Sequence, residues 1–320
     1  MMEKLRDYLI KYPKIVVASH ILPDGDAMGS ILGFGRALKL AGFNVVFYLT
    51  DKPVRIFSFF PEYTEITSNH NIFKEDILLI ALDTADPERL GEEAKDFIIK
   101  NPERVINIDH HISNTLFGII NIVVPDASAT CEMLPEIHEK LTLPWDDWIA
   151  AAYYAGLTLD TGSFQYSNTT SRSFQIASFL CQKGFNLAYL NEKIYMEKPK
   201  DSVLLFKEAL NSLTFELDGK IAWVKFTREQ VERYSEGEEV ISSIASYLRG
   251  IAGVEVSILF RETKDGSIKV GLRSKGIDVN EIAAVFGGGG HKKASGCSLK
   301  MSLDEAVEVV LKEVKKRFYQ

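Results

Sequence analysis

Five short apolar segments alternate with helical patterns in the first half of the chain, and this alternation constrains the fold more than any other feature. The segments read KIVVAS, NVVFYLT, DILLIALD, RVINID and GIINIVVP. Continuous apolar runs of this length, rich in Val and Ile, are typical of strands buried on both faces of a parallel sheet. The helical patterns DAMGSILGFGRALKLAG and PERLGEEAKDFIIKNP lie between them. The sequence therefore predicts an α/β domain with a doubly wound, mainly parallel sheet.

The pattern changes twice in the second half of the chain. From Ala127 to about Asn211 it is mostly helical, and it then becomes two hairpins with turns at Asp218-Gly219 and Asp265-Gly266. The chain closes with the helical pattern SLDEAVEVVLKEVKKRF. We expect a first domain over 1–185, a helical connector over 186–211 and a second, smaller mixed α/β domain over 212–320.

Charge and cysteine content exclude several classes of protein. The 320 residues include 37 basic and 44 acidic side chains, for a net charge of −7. This balance argues against the broad basic surface of a long-duplex binder but allows a short anionic ligand in a local pocket. Three distant cysteines suggest neither a disulfide framework nor a Cys-rich zinc site. No apolar run approaches the length of a membrane span, so we expect a cytoplasmic protein without a membrane partner.

Acidic and imidazole side chains follow three of the predicted strands. Because the carboxyl ends of parallel strands meet in one crevice, these side chains should lie close together. A single Asp in such a place is most often a turn or helix-capping residue, and a single His is most often packed or exposed. Several carboxylates in one crevice, however, would repel one another unless cations compensate them. The sequence thus predicts a metal site, with these candidates: His20, Asp24, Asp26, Asp83, Asp109, His110, His111 and, at the end of AAYYAGLTLD, Asp160.

The ligand types indicate which metal to expect. Carboxylates with a minority of imidazoles and no thiolate suit Mn²⁺ first, with Mg²⁺ or Co²⁺ as alternatives. The candidates are too numerous for one ion, so we expect two divalent ions. In two-metal sites the ions lie about 3.5–4 Å apart, activate a water and stabilise a phosphoryl group.

Five motifs carry a resemblance to a known family. HILPDGDAMGS, LDTAD, DHH and TLDTGSF, in that order, resemble the four metal motifs of the DHH phosphoesterase superfamily. VFGGGGHKKASG resembles the glycine-rich motif of its DHH-associated substrate domain. The compact two-domain form resembles the nano-RNase and pAp-phosphatase branch, which degrades very short oligoribonucleotides and 3′-phosphoadenosine 5′-phosphate (pAp). DHHISNTLFGIINIVVPDASATCEML continues this likeness, with Ala129 where a hydroxyl residue is common.

The resemblance implies a role for each candidate. His20, Asp24 and Asp83 would hold one ion, and Asp26, Asp83, His110 and Asp160 the other. Asp109 would orient an imidazole, and His111 would point toward the scissile phosphate. The implied activity is Mn²⁺-dependent hydrolysis of short oligoribonucleotides to mononucleotides by a metal-activated water, with pAp or pApA as further substrates. The resemblance also implies a homodimer.

A run of four glycines needs separate interpretation. Alone it would suggest a flexible linker. Because it follows the helical pattern VNEIAAVF, its N–H groups could instead form an anion-binding nest. Arg273 at a predicted strand end could add a bidentate phosphate contact. The candidate substrate-binding residues are Arg273, Gly287, Gly288, Gly289, Gly290 and His291.

Neighbouring side chains receive simpler interpretations. We expect Lys292 and Lys293 to be solvated, and Phe164 and Tyr166 to pack in the core rather than to stack on a base. All candidate metal-site residues precede residue 161 and the substrate candidates follow 270. We therefore expect the substrate to be held between the two domains.

Three alternative functions stay open on these residues. An inorganic pyrophosphatase of the same superfamily would share the metal site but carry a different second domain. A RecJ-like single-strand exonuclease would have a longer chain with an additional nucleic-acid module. A non-enzymatic nucleotide sensor is disfavoured, because no ligand position is lost.

Overall fold

The predicted parallel sheet is present in the computed structural model of the chain, which describes residues 1–234 and 244–319. The chain forms two compact units, Met1–Glu197 and Lys198–Gln320. The break between them lies inside the segment predicted as a helical connector, 186–211. The first unit holds a five-stranded sheet and the second a mixed six-stranded sheet, which confirms the predicted fold class.

All five strands of the first unit run parallel, in the order β2-β1-β3-β4-β5. The chain therefore leaves β1 toward one side for β2 and returns on the other side for β3. Such a reversal leaves a crevice at the carboxyl ends of β1 and β3, which is where open α/β sheets bind ligands. The strands are β1 Ile15–Ala18, β2 Val45–Tyr48, β3 Leu78–Leu82, β4 Val105–Asp109 and β5 Ile120–Val123.

Seven α-helices surround this sheet: α1 Met2–Lys11, α2 Gly25–Leu40, α3 Glu92–Lys100, α4 Thr130–Leu141, α5 Asp147–Asp160, α6 Ser171–Cys181 and α7 Leu187–Asn191. Helices α2 and α5 pack unusually closely, since α2 presents a glycine every fourth residue toward α5. A Cβ atom on Gly29 would lie 2.5 Å from the Ala152 carbonyl, and one on Gly33 would lie 2.5 Å from the Tyr153 ring. This contact brings Asp26 on α2 beside Asp160 at the end of α5.

The second unit is built on a sheet in the order β10-β11-β9-β8-β7-β6, in which only the β7–β8 pair is parallel. Both predicted hairpins are present, as β6–β7 and β8–β9. The elements are α8 Lys200–Ser212, β6 Thr214–Glu216, β7 Ile221–Phe226, α9 Arg228–Glu232, α10 (described over 244–249), β8 Val256–Glu262, β9 Ile268–Ser274, α11 Val279–Val285, β10 Gly289–His291, β11 Ala294–Leu299 and α12 Leu303–Lys316.

The helices of the second unit cover the two faces of its sheet unequally. Helices α11 and α12 pack on one face, against Ile258, Phe260 and Val270. On the other face, within 198–234 and 244–319, α8 and α10 pack near β7 and β8, against Ala222, Val224 and Leu259. Across the described ranges of both units, no helix has the length and apolarity that a membrane crossing requires.

Candidate functional site

The first group of candidate ligands lies at the carboxyl ends of β1 and β3. His20 follows β1, Asp24 caps the N-terminus of α2, and Asp83 follows β3. The His20 Nε2 atom lies 3.8 Å from Asp24 Oδ1 and 3.7 Å from Asp83 Oδ2. The Nδ1 atom of His20 lies 2.8 Å from the Ile21 carbonyl oxygen. If Nδ1 carries the proton and donates there, Nε2 presents its lone pair to the carboxylates, as metal binding requires.

The second group lies one strand further along the sheet. The His110 Nε2 atom is 3.6 Å from Asp83 Oδ1, 3.7 Å from Asp160 Oδ2 and 3.9 Å from Asp26 Oδ2. Its Nδ1 atom lies 3.1 Å from the Ala127 carbonyl oxygen, which accepts the ring proton and leaves Nε2 free. Asp83 thus turns one carboxylate oxygen toward each group. The sequence-predicted ligands are therefore brought together as two groups that share Asp83.

Asp83 occupies an unusual backbone conformation. Its φ angle is 55°, in the left-handed region that few residues other than Gly, Asn and Asp adopt. Its N–H donates to the Ile108 carbonyl at 2.9 Å, which fixes the turn after β3 to the neighbouring strand β4. Such local strain persists only where the surrounding structure enforces it, and it gathers at functional sites.

Burial and mutual repulsion dominate the electrostatics of the two groups. Asp26 and Asp83 are each only 1% exposed. Burial, followed by the charges of Asp83 and Asp160, raises the pKa of Asp26 well above its usual range. Burial and the same Asp83 charge raise the pKa of Asp160 to about 6, although His110 opposes the shift. Burial would lower the pKa of His20, but Asp24 and Asp83 raise it to about 10. These groups accumulate negative charge that a divalent cation would compensate, so the donor set suits metal ions.

Asp109 has a different role from the other carboxylates. It is fully buried at the end of β4. Its Oδ1 accepts the Nδ1–H of His111 at 2.7 Å, and its Oδ2 accepts an N–H of Asn114 at 2.6 Å. Burial would raise the pKa of Asp109, but these hydrogen bonds outweigh burial and lower it. The hydrogen bond to Asp109 is the main cause of a raised pKa at His111. The imidazole that Asp109 orients is therefore that of His111.

The N-terminus of α4 holds two of the candidate ligands, and sequence reasoning missed this contact. The N–H groups of Thr130 and Cys131 donate to Asp26 Oδ2 and Oδ1 at 2.6 and 2.9 Å. The Thr130 hydroxyl donates to Asp83 Oδ1 at 3.1 Å. Ala129 occupies the N-cap and offers no side-chain acceptor. Asp26, 104 residues earlier in the chain, caps this helix in its place.

A buried carboxylate behind α4 anchors the same region. Glu132 is fully buried, and its Oε2 accepts the hydroxyl of Ser173 at 2.8 Å and also that of Ser128. The Ser128 carbonyl accepts the Asn168 side-chain N–H at 3.0 Å, and the same amide donates to the Asp160 carbonyl at 3.1 Å. The network connects Glu132 with the loop before α4 and with the end of α5. The stretch SATCE, in which Glu132 follows Ser128 by four residues, is the sequence feature from which this network could have been predicted.

Two substrate-binding candidates lie in one row across the second sheet. His291 on β10 pairs with Ala294 on β11, and Ala294 pairs with Arg273 on β9. Residues directly opposite in antiparallel strands share a face, so His291 and Arg273 flank Ala294 on the same surface. Within 1–234 and 244–319, Arg273 has no carboxylate partner. Burial and the nearby positive charge of Arg249 lower the pKa of Arg273. Arg249 is a basic neighbour that sequence reasoning did not identify.

The glycine run has a different structure from the predicted anion nest. The N–H groups of Gly287 and Gly288 donate to the carbonyls of Ala284 and Ala283, both at the end of α11. The nest hypothesis is therefore wrong for these two N–H groups, because the helix end already uses them. The run is also not a linker, since Gly289 and Gly290 lie in β10. A Cβ atom on Gly288 would lie 2.2 Å from the Gly296 carbonyl, so close packing against β11 requires glycine there.

The four side chains that were expected to be solvated or packed differ in their exposure. Lys292 and Lys293 are exposed, as expected. Phe164 packs against the core of the first unit and stacks on Phe174, with ring centroids 4.8 Å apart, which confirms its predicted packing role. Tyr166 is 62% exposed, so its predicted burial was wrong. Its ring lies over Gly162, where a Cβ would come within 2.4 Å of it.

Comparison with known proteins gives two family matches and several full-length relatives. Residues 14–157 match the DHH family, N-terminal domain, and residues 224–320 match the DHHA1 domain. A bifunctional oligoribonuclease and PAP phosphatase NrnA of Thermus thermophilus is 33% identical over 304 residues, covering 94% of this chain and 89% of the relative. The protein of the same name from Bacillus subtilis is 29% identical over 306 residues, covering 93% of each chain.

Solved structures agree with this relationship. An exopolyphosphatase-related protein from Bacteroides fragilis superposes with a TM-score of 0.85 at 26% identity, covering 98% of this chain and 95% of the other. An exonuclease RecJ bound to manganese superposes with a TM-score of 0.54 at 17% identity, covering 97% and 91%, and shows the shared fold alone. With both family domains matched in order and a full-length relative at 33% identity, the chain belongs to the DHH phosphoesterase superfamily, in the branch of the bifunctional oligoribonucleases and PAP phosphatases.

Proposed function

We propose that this protein hydrolyses short oligoribonucleotides to mononucleotides, with pAp and pApA as further substrates, at a site that binds two Mn²⁺ ions. One observation carries the proposal. Asp83 turns one oxygen toward His20 and the other toward His110, so two groups of ligands share a single carboxylate. The names of the full-length relatives support oligoribonucleotides and pAp as substrates.

The two ligand groups divide the proposed metal-binding residues. His20, Asp24 and Asp83 would hold one ion, and Asp26, Asp83, His110 and Asp160 would hold the other. In the described residues the ligand atoms of His20, Asp24 and Asp83 lie within 4.8 Å of one another, and so do those of Asp26, His110 and Asp160. Bound ions would activate a water molecule and offset charge on the phosphoryl oxygens. The mixed carboxylate and imidazole donors favour Mn²⁺, with Mg²⁺ or Co²⁺ as alternatives.

The protein's own groups prepare the site for the substrate. The Ile21 and Ala127 carbonyl oxygens lie 2.8 and 3.1 Å from the Nδ1 atoms of His20 and His110, and would accept their protons in the tautomers that metal binding requires. Asp109 accepts the Nδ1–H of His111, and this hydrogen bond raises the pKa of His111 and so favours the protonated ring. The His111 side chain is 42% exposed, and its Nε2–H can donate to an oxygen of the scissile phosphate.

We assign substrate binding to the second unit, within the predicted bounds 212–320. Arg273 and His291 would contact a substrate phosphate, and Gly287 and Gly289 would let the substrate approach the backbone closely, beside Gly288 and Gly290, which pack against β11. The catalytic domain would occupy 1–185, with 186–211 as connector. The net charge of −7 argues against a broad basic surface for a long duplex and suits short single-stranded substrates. A homodimer stays a prediction.

A substrate panel in Mn²⁺ tests the proposal. Purified protein would be assayed with pyrophosphate, pAp, pApA, RNA of two to five nucleotides and a long single strand. We expect short RNA and pAp to be cleaved fastest. Preferential cleavage of pyrophosphate, or of the long strand, would support the pyrophosphatase or RecJ-like alternative instead. Binding of nucleotides without hydrolysis of any of them would support the sensor.

A further inference from the structure

The second unit has a basic cavity at the opposite end of its strands from Arg273. The cavity has a volume of about 510 Å³, and its cationic lining residues are Arg228, Arg261, Lys264, Lys269 and Lys300. Lys269 and Lys300 are exposed and, within the described residues, form no ion pair. Net positive charge in a concave surface attracts an anion.

Three carboxylates also line this cavity, but local donors already occupy each of them. Glu232 accepts the Arg228 Nε–H at 2.8 Å, and Glu262 accepts the Arg228 backbone N–H at 2.8 Å. Asp265 accepts hydroxyl hydrogen bonds from Thr263 and Ser267, which lower its pKa. The lysines are therefore the groups left to bind a ligand.

The sheet register places this cavity on the same face as the row formed by His291, Ala294 and Arg273, here called the Arg273 row. Lys269 pairs with Arg261 on β8 and with Ser298 on β11, and it precedes Arg273 by four residues on β9. Side chains two and four residues apart on a strand share a face, so Lys269, Gly271 and Arg273 point the same way. Two basic rows thus lie on one face of the sheet.

The sheet surface between the two rows consists of glycines. Between them, Gly271 pairs with Gly296, which pairs with Gly289. Among the described residues, no atom lies within 4 Å of the position that a Cβ on Gly271 would take. A smaller cavity of about 380 Å³ borders the glycine run and shares Lys269 and Ser298 with the basic cavity. The surface is therefore open from the glycine run to Lys269.

The spacing of the two rows restricts which ligand can contact both. Four residues of strand separate them by about 13 Å. Successive phosphates of an RNA strand are joined through one sugar by six single bonds of about 1.5 Å each, so they lie less than about 9 Å apart. Side chains on one face stand roughly perpendicular to the sheet, so the charged ends of the two rows keep about the spacing of their strand positions. With the side chains so oriented, neither pAp nor a 5′-phosphorylated dinucleotide reaches from row to row with its two phosphates. A 5′-phosphorylated trinucleotide or longer chain does.

We propose that the cavity around Lys269 and Lys300 is a second phosphate subsite, which binds an RNA phosphate two or more nucleotides from the one at Arg273. The inference rests on the proposed function, and it extends that function by making the subsite specific for chains of three or more nucleotides. Its occupant is a phosphate of the substrate chain. A free mononucleotide in the same cavity would affect substrates of every length alike.

The test is a length series with Lys269→Ala/Lys300→Ala. We expect kcat/KM for 5′-phosphorylated tetra-adenylate in Mn²⁺ to fall about 10-fold through KM, with kcat unchanged, because two phosphate contacts are lost. Hydrolysis of pAp and of the dinucleotide should change less than about 2-fold. Lys207→Ala/Lys312→Ala is the matched control, since it removes the same charge from exposed positions in the second unit.

Each outcome of this length series either supports or overturns the proposed phosphate subsite. Equal losses on dinucleotide and tetranucleotide, or an equal loss in the control, would overturn the subsite in favour of general electrostatic attraction. An unchanged tetranucleotide reaction would also overturn it. If the unsubstituted protein hydrolyses no RNA, the proposed function fails, and fluorescence anisotropy with labelled tetra-adenylate still decides the subsite. If Lys269→Ala/Lys300→Ala binds that probe more weakly than the unsubstituted protein and the control variant does not, the subsite is supported. If both variants bind it as tightly as the unsubstituted protein, the subsite is ruled out.

Discussion

The two regions that carry the proposed chemistry organise their charges in opposite ways. In the first unit, the carboxylates of Asp26 and Asp83 are almost fully buried and held by backbone and side-chain donors. In the second unit, Lys269, Lys300 and His291 are exposed on a surface of glycine and alanine. A metal site needs ligands fixed in advance, whereas a substrate surface needs open space and unpaired charge. Substitutions in the first region should therefore change metal binding, and those in the second should change substrate binding alone.

The largest effect is expected from Asp83→Asn. Turnover should fall by about 10⁴-fold or more, because the carboxylate shared by both ligand groups is lost. Without metal, the melting temperature should stay unchanged or rise, since one buried negative charge is removed. Hydrolysis in Mn²⁺ and a thermal scan in EDTA measure the two effects. Near-normal turnover would contradict the two-metal assignment.

The second region should respond to Arg273→Ala/His291→Ala with a smaller loss. We expect kcat/KM for short RNA to fall by about 100-fold, or about 2.7 kcal/mol, because two charge-assisted phosphate contacts disappear. Calorimetry with Mn²⁺ should give wild-type affinity. Loss of Mn²⁺ binding together with activity would break the distinction between the two regions.

Glu132→Gln tests whether metal binding in the first region depends on the hydrogen bonds that Glu132 makes with Ser128 and Ser173. Mn²⁺ affinity should fall by about 10-fold or more, because Glu132 anchors the loop that leads to Thr130 and Cys131. Glu136→Gln is the matched control, since Glu136 lies one turn later on α4 and is exposed. Calorimetry of both variants, with melting temperatures to establish folding, provides the comparison. Equal affinities would mean that the ligands hold their positions without this network.

The last prediction concerns stability and not activity: it is the pH dependence of stability in the first unit, away from the ligands. His138 is fully buried, its Nε2–H donates to the Leu143 carbonyl, and its Nδ1 has no partner in the described structure. Burial lowers its pKa to about 4. Its contribution to stability is therefore present above pH 6.5, and is lost as the pH falls toward 4, up to about 3 kcal/mol.

His138→Gln should flatten that dependence, because glutamine can donate to Leu143 without titrating. Trp145 stacks on the His138 ring at 3.8 Å, so tryptophan fluorescence during unfolding at pH 4.5 and 7 reports on this region. An equally steep pH dependence in the variant would assign the effect to other groups.

The strand ends were predictable from the sequence because apolar runs and the polar residues that follow them are local signals. His20, Asp83 and His110 could therefore be placed together before the fold was known. The cap that Asp26 provides to α4 could not, because it joins residues 104 positions apart through the contact of α2 with α5. The anion nest failed at Gly287 and Gly288 for a related reason. A glycine run does not reveal whether its N–H groups are free or already used by a preceding helix.

The cap that Asp26 provides has a consequence for ion exchange. Its two oxygens already accept the Thr130 and Cys131 N–H groups, so release of a cation leaves the carboxylate with partners. The positive end of α4 also offsets part of the charge that attracts the cation. Both effects reduce the penalty for emptying the site. The protein would thereby be suited to remain folded while the metal content of the proposed site follows the supply of ions around it.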